Sequence, residues 1–151
     1  MSKVLKTPHF LECAKVLKKQ HARLDKLSDF KKEISGARTF CFLHELDQLI
    51  NHNLIQGGDI NNGIVFIEED VDVDKLGELK KLLPNNIQKL KKGILNNKAL
   101  LYENEQAKHK LLDLIGDISL VGFEVKGKII AHKPGHTINA LFTEKLMKQI
   151  N

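Results

Sequence analysis

Glu103 to Gly122 reads ENEQAKHKLLDLIGDISLVG, and how this stretch is read decides the fold. A helical step of about 100° per residue sets Leu111, Leu114, Ile115 and Ile118 on one face and His109, Asp113 and Asp117 on the opposite one. The apolar stripe is that of a helix packed on a core, and Gly122 is placed to end it as a C-cap. On an arbitrary helix the opposite face is solvated surface. The residue types here point elsewhere. A histidine and a carboxylate at i and i+4 project one turn apart and can close on a single metal ion, and a second carboxylate one turn further can orient or charge-compensate a neighbour. His-x-x-x-Asp alone occurs on many surface helices, so it gains weight only where other segments converge on it.

Downstream, Glu124 to His132, EVKGKIIAH, reads as a strand, Lys133-Pro134-Gly135 as a turn, and His136 to Ile150 as a closing helix with Ile138, Leu141, Phe142, Leu146 and Ile150 inward. His136 falls in the first turn of that helix. The helix N-terminus disfavours an imidazolium while a nearby carboxylate such as Asp117 favours it, so the pair could hold a histidine able to donate a proton near neutral pH. Taken alone, a histidine at a helix start is a surface residue.

Upstream, Ala99 to Tyr102 reads as a strand, and Asn85 to Gly93 as an exposed loop whose Lys89, Lys91 and Lys92 form a solvated charge run. Asp74 to Leu83 is an amphipathic helix stopped by Pro84. Gly63 to Ile67 is a β-branched strand leading into acidic Glu68 to Asp72, after a turn at Gln56 to Asn62. His44 to His52 has a helical pattern in Leu46, Leu49 and Ile50. Ala37 to Leu43, ARTFCFL, reads as a strand; within it Thr39, beside Arg38 and Phe40, is in its own right a β-branched residue filling a strand position. Ser28 to Ile34 reads as a short helix capped by Ser28, and a further strand is expected within Phe10 to Leu17.

With 151 residues and 42% hydrophobic content, one domain with a sizeable core is expected. The net charge of +5 favours anionic partners without choosing among nucleic acid, membrane surface and phosphorylated small molecules. An aromatic content of 5% gives little support to a base-stacking platform, and nucleic-acid binding is the weakest reading. Cys13 and Cys41 lie in largely apolar stretches without CxxC spacing, as buried thiols of a reducing compartment do. No apolar run reaches the length of a membrane span, and the start lacks a signal-peptide core; a cytoplasmic location is expected.

Three blocks in matching order and spacing make the combination specific: ARTFCFLHELDQLINHNLIQGGDINNGIVFI, AKHKLLDLIGDISLVG and KGKIIAHKPGHTIN. From about Gln20 onward the chain closely resembles the C-terminal half of the UDP-3-O-acyl-N-acetylglucosamine deacetylases, zinc hydrolases of lipid A synthesis. It is most similar to the branch fused to a downstream 3-hydroxyacyl carrier-protein dehydratase. Residues 1–19 match poorly. The resemblance implies an α+β fold, a two-layer sandwich of a mixed sheet packed on helices, corresponding to the second of two similar domains. It implies His109 and Asp113 as Zn2+ ligands, His136 as the general acid that protonates the leaving amine, Asp117 as its orienting partner, and Thr39 as a hydroxyl donor to the oxyanion. Lys110 and Lys133 would contact the nucleotide diphosphate of UDP-3-O-acyl-N-acetylglucosamine, Phe40 would pack on its sugar, and Phe42 to Ile67 would form the passage for the acyl chain.

A catalytic zinc takes three protein ligands and keeps a position open. The family's third ligand, a histidine, and its general base, a glutamate, belong to the first domain, and His9, His21, His44, His52 and His132 match no such motif. After His136 the sequence keeps the first asparagine of the family's pair, Asn139, and has Ala140 in place of the second. Two readings follow. One is the C-terminal part of a zinc amidase, inactive or nearly so alone, whose N-terminal half is supplied separately or was lost by truncation. The other is a non-catalytic remnant that binds metal or a nucleotide-linked ligand.

Overall fold

The structure, a computed structural model, describes residues 19–52, 62–71 and 91–149. The strand expected within Phe10 to Leu17, most of the Gln56 to Asn62 turn, the helix at Asp74 to Leu83, and Cys13, Lys89 and Ile150 lie outside the described residues. The fold is α+β. Contacts divide the chain into two compact units, residues 38–103 and residues 1–37 with 104–151.

Residues 38–103 are built on an apolar run. Gly63–Ile67 (β2) is the middle strand, with Thr39–Phe42 (β1) parallel on one side in the register Thr39↔Gly63 to Phe42↔Phe66, and Gly93–Ile94 (β3) antiparallel on the other. A strand buried on both faces needs apolar residues at every position rather than alternate ones, and GIVFI supplies them. Val65 and Ile67 join Leu43, Leu46 and Leu95 in one cluster, with Cys41 and Val71 packed on it. Phe66 meets Phe40 edge-on at 6.0 Å and Phe42 at 6.0 Å. After β1 the chain makes a 3-10 turn, Leu43–Glu45, and continues as helix α2, Leu46–Asn51, so the sheet and a short helix share this core. The Phe42 amide donates to the Glu45 carboxylate at 2.9 Å, which fixes the turn, and His44 pairs with Glu68.

The second unit contains helix α1, Phe30–Glu33, helix α3, Glu105–Ser119, and helix α4, His136–Lys148. Ser28 does not cap α1. It lies inside a 3-10 turn, Leu27–Asp29, and neither the turn nor the helix has a side-chain cap. At the start of α3 the missing cap comes from far upstream: the Ala107 amide donates to Gln20 Oε1 at 3.3 Å, and Asn104 Nδ2 donates to the His21 carbonyl at 2.7 Å. Leu114 and Ile118 are buried, as the apolar stripe of α3 requires, and Leu111 and Ile115 are half-buried. Helix α3 ends at Ser119 with Leu120 as its C-cap rather than the expected Gly122, which follows two residues later at φ +81°, a left-handed conformation that glycine favours.

Three further expectations fail. Ala99 to Tyr102 and Glu124 to His132 are not strands; neither has a ladder partner among the described residues, and β-prone residues do not make a strand without one. On α4 the apolar residues expected inward face outward: Ile138 is 48% exposed, Leu141 50% and Phe142 39%, with Leu146 half-buried. The buried positions are Asn139 and Thr143. The face of α3 that α4 meets is its polar one, and a polar surface is buried only where hydrogen bonds replace its water.

Candidate metal and acid site

His109, Asp113 and Asp117 lie one turn apart along α3, and all are largely covered, with side chains 15%, 11% and 19% exposed. This face is not solvated surface. The Lys133-Pro134-Gly135 turn, with Lys133 exposed at φ 52°, brings α4 in so that His136 sits over Asp117. His136 Nδ1 lies 2.9 Å from Asp117 Oδ2 and 3.2 Å from Oδ1. Asn139 Nδ2 donates to the same Oδ2 at 2.8 Å. The Thr143 hydroxyl lies 3.0 Å from the Asp117 carbonyl and 2.9 Å from that of Asn139, and so ties the two helices behind the pair.

Proton positions follow from which partners can only accept. A carboxylate has no proton to give, so the proton on His136 Nδ1 points at Asp117, while Nε2 belongs to a side chain that is 69% exposed. His109 follows the same logic one turn back. Its Nδ1 lies 3.1 Å from the Ala37 carbonyl oxygen, which also can only accept, so Nε2 faces Asp113 Oδ1 at 3.5 Å. Two acceptors facing each other in a covered site repel unless a cation or a proton stands between them. Bonds of about 2.0 to 2.2 Å in a tetrahedral zinc site place neighbouring ligand atoms about 3.4 Å apart, so the pair fits that ion. The second Asp113 oxygen takes Lys110 Nζ at 2.8 Å and stands 3.9 Å from His136 Nε2. Among the described residues no cluster of three or more metal-ligating side chains occurs.

Thr39 and Phe40 belong to the other unit. Thr39 is exposed at the first position of β1, and Phe40 is half-buried with its ring edge against Phe66. The contacts of Asn139 and Thr143 with Asp117 are not foreseen from the sequence, although Asn139 stands there as the first of the family's asparagine pair. Their signal is a polar stripe, His136, Asn139 and Thr143, at the i, i+3, i+7 spacing of one helix face, but the apolar residues between them draw the inward assignment.

The profile of the UDP-3-O-acyl N-acetylglycosamine deacetylases matches the chain in two segments, residues 5–78 and 77–148. The chain belongs to this deacetylase family. The family suggested by the three sequence blocks is therefore the one found, although the match begins ahead of Gln20. Deacetylase-family relatives include the bifunctional enzyme LpxC/FabZ of Porphyromonas gingivalis, 43% identical over 94% of this chain and 31% of that protein. That of Bacteroides thetaiotaomicron is 41% identical over 89% of the chain and 30% of that protein. The UDP-3-O-acyl-N-acetylglucosamine deacetylase of Syntrophotalea carbinolica is 37% identical over 78% of the chain and 31% of that protein. The chain thus spans about a third of the length of these deacetylase-family proteins. No helix among its described residues is long and apolar enough to cross a membrane.

Proposed function

We propose that this chain is the C-terminal part of a zinc-dependent deacetylase that hydrolyses the N-acetyl group of UDP-3-O-acyl-N-acetylglucosamine, and that it carries the acid half of the reaction. The observation behind this reading is the row His109, Asp113, Asp117 on α3, capped by His136 with its Nδ1 on Asp117 at 2.9 Å. His109 and Asp113 hold Zn2+, which when bound supplies Lewis-acid polarisation of the substrate amide. His136, held by Asp117, delivers a proton from Nε2 to the departing amine; Asn139 keeps Asp117 from rotating away. The Thr39 hydroxyl donates to the oxyanion, Lys110 and Lys133 bind the diphosphate, and Phe40 packs on the sugar. The third ligand and the general base come from the part of the family's fold that lies outside this sequence. The reaction substrate is nucleotide-linked, and the enzyme is cytoplasmic.

The test is hydrolysis of UDP-3-O-acyl-N-acetylglucosamine with zinc by this chain alone and mixed with a separately expressed N-terminal part, with Asp113→Ala as control. Activity only in the mixture, lost in the control, supports a divided enzyme. A folded pair with no activity sinks the reading and leaves a binding remnant.

A further inference from the structure

His109 has to present one nitrogen to a metal, and the structure shows what chooses which. Its Nδ1 is 3.1 Å from the Ala37 carbonyl oxygen. Ala37 is buried and closes a tight series of turns after α1: the Ile34 and Ser35 amides both donate to the Phe30 carbonyl, at 2.9 and 3.0 Å, and the Ala37 amide donates to Ile34 at 2.9 Å. Ile34, fully buried, anchors the same turn. One residue before His109, Lys108 reaches back to this segment. Its Nζ, on a side chain 13% exposed, donates to the Glu33 carbonyl at 2.8 Å and lies 3.2 Å from the Glu33 carboxylate. The segment carrying the carbonyl is thus fastened to the helix carrying the imidazole by a charge-assisted contact whose lysine is largely covered and whose Glu33 carboxylate is 46% exposed, made by the residue next to His109 in sequence.

We infer that Ala37 and Lys108 are positioning residues that lock neutral His109 in its Nδ1–H tautomer and aim the Nε2 lone pair at Asp113. The lone pair has to be at Nε2 for a ligand to bind, because the neutral ring has only one, and an imidazole without a fixed partner samples both tautomers. The fixed outer partner of a ligating histidine commonly changes metal affinity by about 10 to 100-fold. The tautomer itself stands without the deacetylase reading; only its consequence for zinc rests on that reading.

The experiment is 15N NMR of the imidazoles of the whole metal-free chain at a pH where His109 is neutral, in the wild type, Lys108→Met and Lys108→Arg. Zn2+ is titrated directly into the same samples and followed by calorimetry, with no chelator present, and circular dichroism checks that each folds. The expected result is a single Nδ1–H tautomer of His109 in the wild type, mixed tautomers with about tenfold weaker Zn2+ binding in Lys108→Met, and both properties recovered in Lys108→Arg. A mixed or Nε2–H ring in the wild type overturns the inference, as does a folded Lys108→Met chain with an unchanged tautomer. A locked ring in a chain that takes up no Zn2+ upholds the lock and counts against the metal reading alone.

Discussion

Asp117 receives His136 Nδ1 and Asn139 Nδ2 on its carboxylate while its carbonyl faces the Thr143 hydroxyl, so this one side chain decides how the histidine is held. Asp117→Asn keeps the size but removes the carboxylate that holds His136 by its Nδ1–H. In the mixture with the N-terminal part, kcat is expected to fall about 10² to 10⁴-fold, the usual worth of a positioned acid, while Zn2+ retention is unchanged because Asp113 is untouched. Wild-type kcat in a zinc-loaded Asp117→Asn pair would remove His136 from the mechanism. A second residue-scale expectation concerns Cys41. Burial, and then the neighbouring Glu45 carboxylate, raise its thiol from 9.0 to about 11. At pH 8 in a Cys13→Ser background, its reaction with a disulfide reagent should be about 100-fold slower than that of an unperturbed thiol. Since the folded state holds this proton more tightly than the unfolded one, its contribution to stability is intact below about pH 9 and lost as pH rises from 9.0 to about 11. The loss amounts to about 2 to 3 kcal/mol, measurable by urea titration at pH 8 and pH 11. Rapid labelling of the folded chain at pH 8 would show the thiol to be open.

At the scale of elements, α3 contains its own control. Gly116 lies mid-helix with nothing within 4 Å of where a methyl group would sit, whereas Gly122 has equal space but φ +81°. Gly116→Ala should stabilise the chain by about 0.5 to 1 kcal/mol, and Gly122→Ala should destabilise it by about 1 kcal/mol, both read from urea midpoints. Shifts of the same sign would mean that Gly122 does not govern how the chain leaves the helix. What is legible in the sequence divides along the same line between local and tertiary causes. The extent of β2 can be read because GIVFI is apolar throughout, whereas β1 and α3 can be placed but are shorter than expected, Thr39–Phe42 within Ala37 to Leu43 and Glu105–Ser119 within Glu103 to Gly122. The strands expected at Ala99 to Tyr102 and Glu124 to His132 cannot be decided from propensity, since a strand exists only with a neighbour. The helix spacing of α4 is legible but its orientation is not. Asn139 and Thr143 turn inward, and His136 sits at the rim, because Asp117 and its carbonyl await donors, and this information sits on another helix.

For the whole molecule the decisive quantity is the number of ligands. In the proposed reading His109 and Asp113 supply two ligands, 3.5 Å apart, and a catalytic zinc is held by three. Each ligand lost removes a bond that must otherwise be made by water, so a two-ligand site exchanges its ion with chelators that a three-ligand site resists. The chain loaded with Zn2+ and passed through a desalting column with a weak chelator should therefore emerge with far less than one ion per chain. Mixed with the N-terminal part of a deacetylase-family relative, it should retain about one per pair. Asp113→Ala should abolish retention in the mixture, and His136→Ala should leave it intact while ending hydrolysis, which separates ligand from acid on neighbouring helices. Elemental analysis of the column fractions gives the answer. One tightly held ion per chain without any partner would mean that the third ligand lies within these 151 residues and that the division of the site across two parts of the fold is wrong.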